Sequence, residues 1–377
     1  MAIIKCENCG GNVSDKAKAC PHCGAVINQE ATFSVQNNPQ QVGPSTGGVS
    51  SRPKKKSPAP RIILTVFGSL LLLYLAIITF GYVKYKVISA NPVHWGKILA
   101  AERGDKWEQY RLGWDYFDGT SSDILVYVPQ NYTEAVKWFQ KAADQGEVYA
   151  QYRLGLCYHN GYGVAQDYEE AVRLYRLAAE QGDDEAQTIL GSCYYKGQGV
   201  AQDYEEAVRL SREAAEKGNL TAITNLGWFY QNGHGVPQDY EEAVRLYREA
   251  AEKGSLGALT SLGYCYQEGH GVPQDYKEAV RLYREAAEYG DPIGLNNLGY
   301  CYEKGYGVPQ DYKEAVKWYR KAAEADNITG RPEYHLGTCY EYGHGVTQDI
   351  DEAVKWYSEA ADCGDKDAKD ALERLGY

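Results

Sequence analysis

The octapeptide GHGVPQDY occupies Gly233–Tyr240 and returns unchanged at Gly269–Tyr276. Its glycines suit three uses: a phosphate cradle, a metal loop, or the joint between two helices. Spacing separates them. Gly161, Gly197, Gly233, Gly269 and Gly305 follow one another at 36 residues, and Gly343 comes 38 after the last. A fixed period of this length marks a repeat array in which each unit is one supersecondary element. Composition agrees, because 34 Tyr against 6 Phe, with 40 Gly and one Met in 377 residues, reflects one small pattern copied many times.

Each unit reads as two helices. The first carries apolar and small residues at helical spacing, as in Ala150, Leu154, Cys157 and Tyr158, and the second does so at Ala171, Leu174, Tyr175, Ala178 and Ala179. Between them, the first glycine of GxG can take the left-handed conformation that ends a helix. Asp239 then stands ahead of the next helix with Glu242 three residues on, a capping box. The same arrangement occurs at Asp167, Asp203, Asp275, Asp311 and Asp349, with Asn131 as a variant, so seven second helices are expected. A phosphate loop requires a strand before the glycines and free amides facing the anion; here a helix precedes and Asp fills the cap. The middle residue of GxG varies among Tyr162, Gln198, His234, His270, Tyr306 and His344, which reads as a surface slot. Those histidines lie in different repeats, too far apart to share a zinc ion at bonds of about 2 Å.

Leu226–Tyr230 (LGWFY), Gly233–Asp239 and Ala243–Gly254 (AVRLYREAAEKG) together resemble the Sel-one-like repeat, a relative of the tetratricopeptide repeat. The likeness spans roughly residues 93–377. It implies an all-α fold, a right-handed α/α solenoid of about seven 36-residue helical pairs, and a concave face of first helices that grips peptides or folded proteins. Asn91-Pro92 suits the start of an orphan second helix, and residues 366–375 suit a closing first helix whose Glu373 and Arg374 make a polar end. Two departures stand out. The loop at 119–131 is six residues longer than its counterpart and carries ILVYV, either a lip for a ligand or, preferably, packing against the convex side. Repeat six gains two residues before Pro332, which suggests a local change of superhelical pitch.

The segment before the array divides into three. Residues 62–83 form an uncharged run of 22, about 33 Å as a helix, and are expected to span a membrane. Residues 28–61 are a polar linker ending in a basic run (Arg52, Lys54, Lys55, Lys56, Arg61) that predicts a cytoplasmic N-terminus and an extracytoplasmic array, residues 84–377. Residues 1–27 hold Cys6, Cys9, Cys20 and Cys23 as two CxxC pairs, each followed by Gly, a spacing that presents four thiolates to a structural zinc. This resembles a short bacterial zinc ribbon and implies a bacterial inner membrane. A redox pair or disulfide frame is the alternative. The array carries 31 Lys/Arg against 48 Asp/Glu, a charge that disfavours nucleic acid as its partner. For the ribbon, nucleic acid stays open.

Offset from the core stripe, three levels are expected to face the groove: Trp114, Trp228, Tyr264 and Tyr300; Tyr152, Asn296 and Tyr334; and His159, Tyr195, Gln231, Gln267 and Glu303. Aromatics between amides suit an extended peptide, though the same residues would serve equally to pack neighbouring helices. Cys157, Cys193, Cys265, Cys301 and Cys339 share one core position and, with Cys363, are expected to be buried free thiols, because packed helices sit too far apart for disulfides. The chain therefore reads as a non-enzymatic, membrane-anchored scaffold for a protein or peptide. The alternatives are a membrane-tethered signalling protein that couples the array to the ribbon and, remotely, a cell-wall enzyme of β-lactamase-like type, for which the array, residues 84–377, carries neither GxSxG nor SxxK.

Overall fold

The computed structural model describes residues 3–5, 12–14, 88–89, 92–119, 126–325 and 330–377. The chain forms two units, residues 1–65 and 66–377. In the first, β1 (Ile3–Lys5) pairs antiparallel with β2 (Asn12–Ser14), Ile3 opposite Ser14. The expected zinc ligands, the linker and the expected spanning segment lie outside the described residues.

The second unit is an array of helices that alternate in role. An orphan helix α1 (Pro92–Glu102) opens it, and the first helices of the repeats are α2 (Lys106–Asp118), α4 (Val148–Asn160), α6 (Asp184–Lys196), α8 (Leu220–Asn232), α10 (Leu256–Glu268), α12 (Pro292–Lys304) and α14 (Arg331–Tyr342). The second helices are α3 (Tyr132–Ala143), α5 (Tyr168–Glu180), α7 (Tyr204–Glu216), α9 (Tyr240–Glu252), α11 (Tyr276–Glu288), α13 (Tyr312–Glu324) and α15 (Ile350–Asp362), and α16 (Lys366–Leu375) closes the array. Each helix packs chiefly on its neighbours in sequence, which defines a solenoid. First helices of successive repeats also touch each other, α8 with α10 and α10 with α12, more than any pair of second helices does, so the first helices line the inner side.

Every second helix from α3 to α15 carries its expected cap, with the Asp239 carboxylate accepting from the Glu242 N–H at 3.0 Å as the pattern. The box is nevertheless only half built. The Asp239 N–H donates to the Tyr230 carbonyl at 2.9 Å, so Glu242 has no backbone donor to reach and instead takes the Arg245 guanidinium at 2.7 Å. First helices carry caps that the sequence reading missed, from Asp105, Glu147, Asp183, Asn219, Ser255, Asp291 and Asp365.

The core is a row of rings set into glycines. Tyr175, Tyr247, Tyr283, Tyr319 and Tyr357 are fully buried. Each lies against a helical glycine of its own repeat (Gly155, Gly227, Gly263, Gly299, Gly337), where an added Cβ would stand 2.5–2.8 Å from the ring. No ring of such size fits beside a methyl there, which is the physical content of the LG pair in LGxxY.

The GxG motif does more than end a helix. Its first glycine is left-handed as expected, Gly233 at φ 69°. The second, Gly235 at φ 71°, sits where a Cβ would collide with the Tyr204 carbonyl of the preceding repeat. The middle residue is no open surface slot: His234 stacks on Tyr204 (5.0 Å), His270 on Tyr240 (4.4 Å), Tyr306 on Tyr276 (4.5 Å) and His344 on Tyr312 (4.5 Å). The loop therefore clamps each repeat to the start of the previous second helix. Polar bonds also tie the two helices within a repeat, as in Gln145 Nε2 to Gln109 (2.7 Å) and Gln181 Nε2 to Gln151 (2.8 Å).

Val126–Tyr127 (β4) of the ILVYV strip pairs antiparallel with Ile88–Ser89 (β3), and Val128 is fully buried in the first core. The first two residues of the strip lie outside the described residues.

Candidate functional site

On the inner side, Trp114, Trp228 and Tyr300 are half-buried and Tyr264 is 40% exposed. None is isolated. Arg153 lies over Trp114 at 4.3 Å, Trp228 touches Tyr195 and His234 at 5.0 Å each, and Tyr300 meets Tyr306 at 6.1 Å and His335 at 6.0 Å. Contact with clamp residues holds these rings while their edges stay open.

The second level splits. Tyr152 is buried, which corrects its placement in an open groove: its ring packs against Tyr175 at 6.2 Å, and burial, helped by Glu185, pushes its hydroxyl up. Tyr334 is half-buried against Tyr357 (5.7 Å), and Asn296 is half-buried with its Oδ1 unpartnered among the described residues.

The third level faces inward. Gln231 accepts from the Tyr247 hydroxyl (3.0 Å), Gln267 from Tyr283 (3.3 Å), Glu303 from Tyr319 (2.8 Å) and Glu341 from Tyr357 (2.7 Å). A buried phenol needs an acceptor, and this position supplies it. His159 occupies the same place beside Tyr175, 6.2 Å between centroids, and burial, with Lys196, pushes its imidazole down. In the third repeat the pattern inverts: Ser211 replaces the buried ring, and Tyr195 at the acceptor position packs on Trp228 and Phe229 of the next repeat.

His335, absent from the sequence reading, stacks on Tyr319 at 4.7 Å with the rings 9° from parallel, and its Nδ1 lies 4.0 Å from Glu303. Burial pushes it down to about 4, so it is neutral at ordinary pH. Burial also pushes Glu303 up, but Lys304 at 2.6 Å, Tyr319 and His335 outweigh it and keep the carboxyl low. This cluster is stacked and bonded to itself, and the thiol beside it, Cys339, is buried and pushed up to about 12.

Cys157, Cys193, Cys265, Cys301 and Cys339 are buried free thiols, and burial pushes them up to about 11 or 12. Such thiols are poor nucleophiles and poor metal ligands. Cys363 is exposed, contrary to expectation, because it caps the C-terminus of α15. Among the described residues no group of His, Cys, Asp or Glu is arranged to hold a metal, and no helix is long and apolar enough to cross a membrane.

Missed by the sequence reading as well was an aromatic group at the array's beginning: Trp107 and Tyr149, each about half exposed, with Tyr110 and Arg153 beside them. A signal existed. Position two of the first helix is aromatic only in the first two repeats, being Glu185, Thr221, Gly257 and Ile293 afterwards.

Paired helices, ring-in-glycine cores and loop clamps define an α-solenoid with an aromatic and amide inner face. The family model of the Sel1 repeat matches seven times, at residues 109–147, 148–183, 184–219, 220–255, 257–291, 292–327 and 333–365, and the chain belongs to that family. Such proteins serve generally as scaffolds for protein interaction. Among solved structures, c5321, a protective antigen of uropathogenic Escherichia coli with this fold, is 36% identical at a TM-score of 0.55. The match covers 76% of this chain and 59% of that one, so the chain spans less than two thirds of the antigen's length. A Sel1 repeat protein from Oxalobacter formigenes is 34% identical at a TM-score of 0.54, over 61% of this chain and 91% of that one. No curated protein sequence matches.

Proposed function

We propose that the array is a membrane-anchored interaction scaffold whose inner face holds a protein or peptide partner. One observation carries the binding surface: partly open rings at one level of successive first helices, Trp228, Tyr264 and Tyr300, are fixed by clamp residues and so present contact area at little entropic cost. Residues 62–83 are the anchor, on the strength of their length and lack of charge, and the basic run before them favours a cytoplasmic N-terminus and an extracytoplasmic array at a bacterial inner membrane. Cys6, Cys9, Cys20 and Cys23 hold a structural zinc in this reading, supported by their spacing and by the sequence position of Cys6 and Cys9 between two paired strands.

The test uses two fusions and one variant. Alkaline phosphatase joined after Tyr377 should be active and a fluorescent reporter there dark. Combined substitution Trp228→Ala, Tyr264→Ala and Tyr300→Ala should abolish partner recovery after cross-linking in cells while leaving the amount of protein unchanged. Undiminished recovery would refute the surface, and a cytosolic C-terminus would refute the topology.

A further inference from the structure

The beginning of the array holds a cleft of about 680 Å³ between the first turns of α2, α4 and α6. One wall is aromatic. Trp107 and Tyr149 are 51% and 49% exposed, 6.0 Å apart, and both lean on Tyr110 at 6.3 and 5.9 Å. Soluble surfaces seldom leave two touching rings half bare on a third unless something covers them. The other wall is acidic, formed by Asp183, Asp184 and Glu185.

The charges of the cleft are committed unequally. Arg153 faces Tyr110 and lies over Trp114 at 4.3 Å and Tyr152 at 5.3 Å, so its guanidinium is already spent on rings at the floor. Glu147 is buried and caps the Ala150 N–H at 3.0 Å. Asp183 caps Ala186 at 2.7 Å, and Asp184 accepts from Asn219 at 2.8 Å. Those bonds come from neutral donors. Burial, together with Glu185 and Asp184, holds the Asp183 carboxyl above its ordinary range, although the Ala186 N–H and the Lys217 ammonium pull it down. Lys217 itself donates to the Gly182 carbonyl at 3.0 Å and to Gln187 at 2.8 Å. Four carboxylates thus face three cations, Lys106, Arg153 and Lys217, and the cleft keeps an excess of negative charge.

We propose that this cleft docks an extended protein segment that presents an aromatic or large apolar side chain next to an arginine or lysine. The apolar side chain covers Trp107 and Tyr149. The cation reaches Asp184 and Glu185 and lies against an open ring face. An acidic segment would add to the cleft's excess negative charge, and an uncharged one would leave that excess unanswered. The proposal deepens the scaffold reading and rests on it. It gives the first two repeats the task of selecting the partner by charge and the later ones the task of extending the contact.

The test is fluorescence anisotropy of the full-length protein in detergent with the labelled peptide Gly-Ser-Arg-Phe-Arg-Phe-Ser-Gly. Two controls replace Arg by Glu or Phe by Ala. Expected is binding at least about tenfold tighter than either control, weakening by about tenfold with Trp107→Ala and again with Glu185→Lys, and unchanged by Tyr289→Ala, an exposed ring outside the cleft. Circular dichroism melts of both cleft variants should match the parent, since neither side chain is buried. Equal affinity for the Glu peptide, or cleft variants that fold and bind like the parent, overturns the proposal. If partner cross-linking from Tyr264 persists in that case, the cleft alone is refuted; if no first-helix position cross-links, the scaffold reading fails with it.

Discussion

Replacing Gly235 with Ala tests the clamp, and Gly254→Ala is its internal control. Both glycines have positive φ, 71° and 95°, so each Ala carries backbone strain of about 1–2 kcal/mol. They differ in surroundings. A Cβ at Gly254 meets nothing within 4 Å, whereas one at Gly235 collides with the Tyr204 carbonyl and stands 3.0 Å from the Glu205 nitrogen. Backbone cannot rotate away as a side chain can, so the loop must retreat. Overpacking of that kind costs about 1–3 kcal/mol. Retreat also separates His234 from Tyr204, stacked at 5.0 Å, a loss of about 0.5–1.5 kcal/mol. Gly254→Ala should therefore cost about 1–2 kcal/mol and Gly235→Ala about 3–6. Because arrays open repeat by repeat, the readout is hydrogen exchange by mass spectrometry over Tyr204–Glu216 and Leu220–Asn232. Exchange in those helices should rise at least about tenfold more for Gly235→Ala than for Gly254→Ala. Equal effects would refute the clamp and reduce GxG to a helix terminator.

Further outcomes follow from the core and the closing helix. Tyr283→Phe removes the bond to Gln267 but no ring contact and should cost about 1 kcal/mol, read as a shift in the local denaturation midpoint, while Gly263→Ala should cost more by displacing the ring. Arg374 of α16, at 2.8 Å, holds the Glu341 carboxyl below the usual carboxylate range, with help from Tyr357. Since the folded value is the lower one, this contribution is complete above the ordinary carboxylate range and disappears as pH falls through the folded value. Protection of Lys366–Leu375, taken relative to the intrinsic exchange rate at each pH, should accordingly fall on acidification, and Glu341→Gln should lower it at neutral pH and flatten its pH dependence. Iodoacetamide should label Cys363 in the native protein while Cys157, Cys193, Cys265, Cys301 and Cys339 react only after denaturation, as mass spectrometry of digests would show.

What the sequence disclosed about this fold is whatever repeats within a helical turn or a loop. The period, the left-handed Gly233 and the Asp239 cap are local, and each is visible because one residue type satisfies one backbone requirement. Contacts between repeats were not legible. Gly235 looks like a second flexible residue until Tyr204, in the previous repeat, is placed beneath it. Gln231 and Gln267 were read as groove residues because they lie offset from the apolar stripe; they turn inward because buried phenols require acceptors, a demand that originates on another helix. Tyr152 misled for a similar reason, its ring being enclosed by Tyr175. Val126–Tyr127 found their partner at Ile88–Ser89, far upstream, where no local pattern pointed. Conversely, Trp107 and Tyr149 went unnoticed because attention to what recurs hides what occurs only in two repeats.

The most direct measurement of the scaffold reading is a photo-cross-linking map in living cells, with a benzophenone amino acid placed singly along first and second helices and adducts quantified by mass spectrometry. Adducts should concentrate at Trp107, Trp228, Tyr264 and Tyr300 and be sparse at Glu252 and other exposed second-helix positions. Adducts concentrated on the second helices, or spread evenly over both, would contradict an inner binding face.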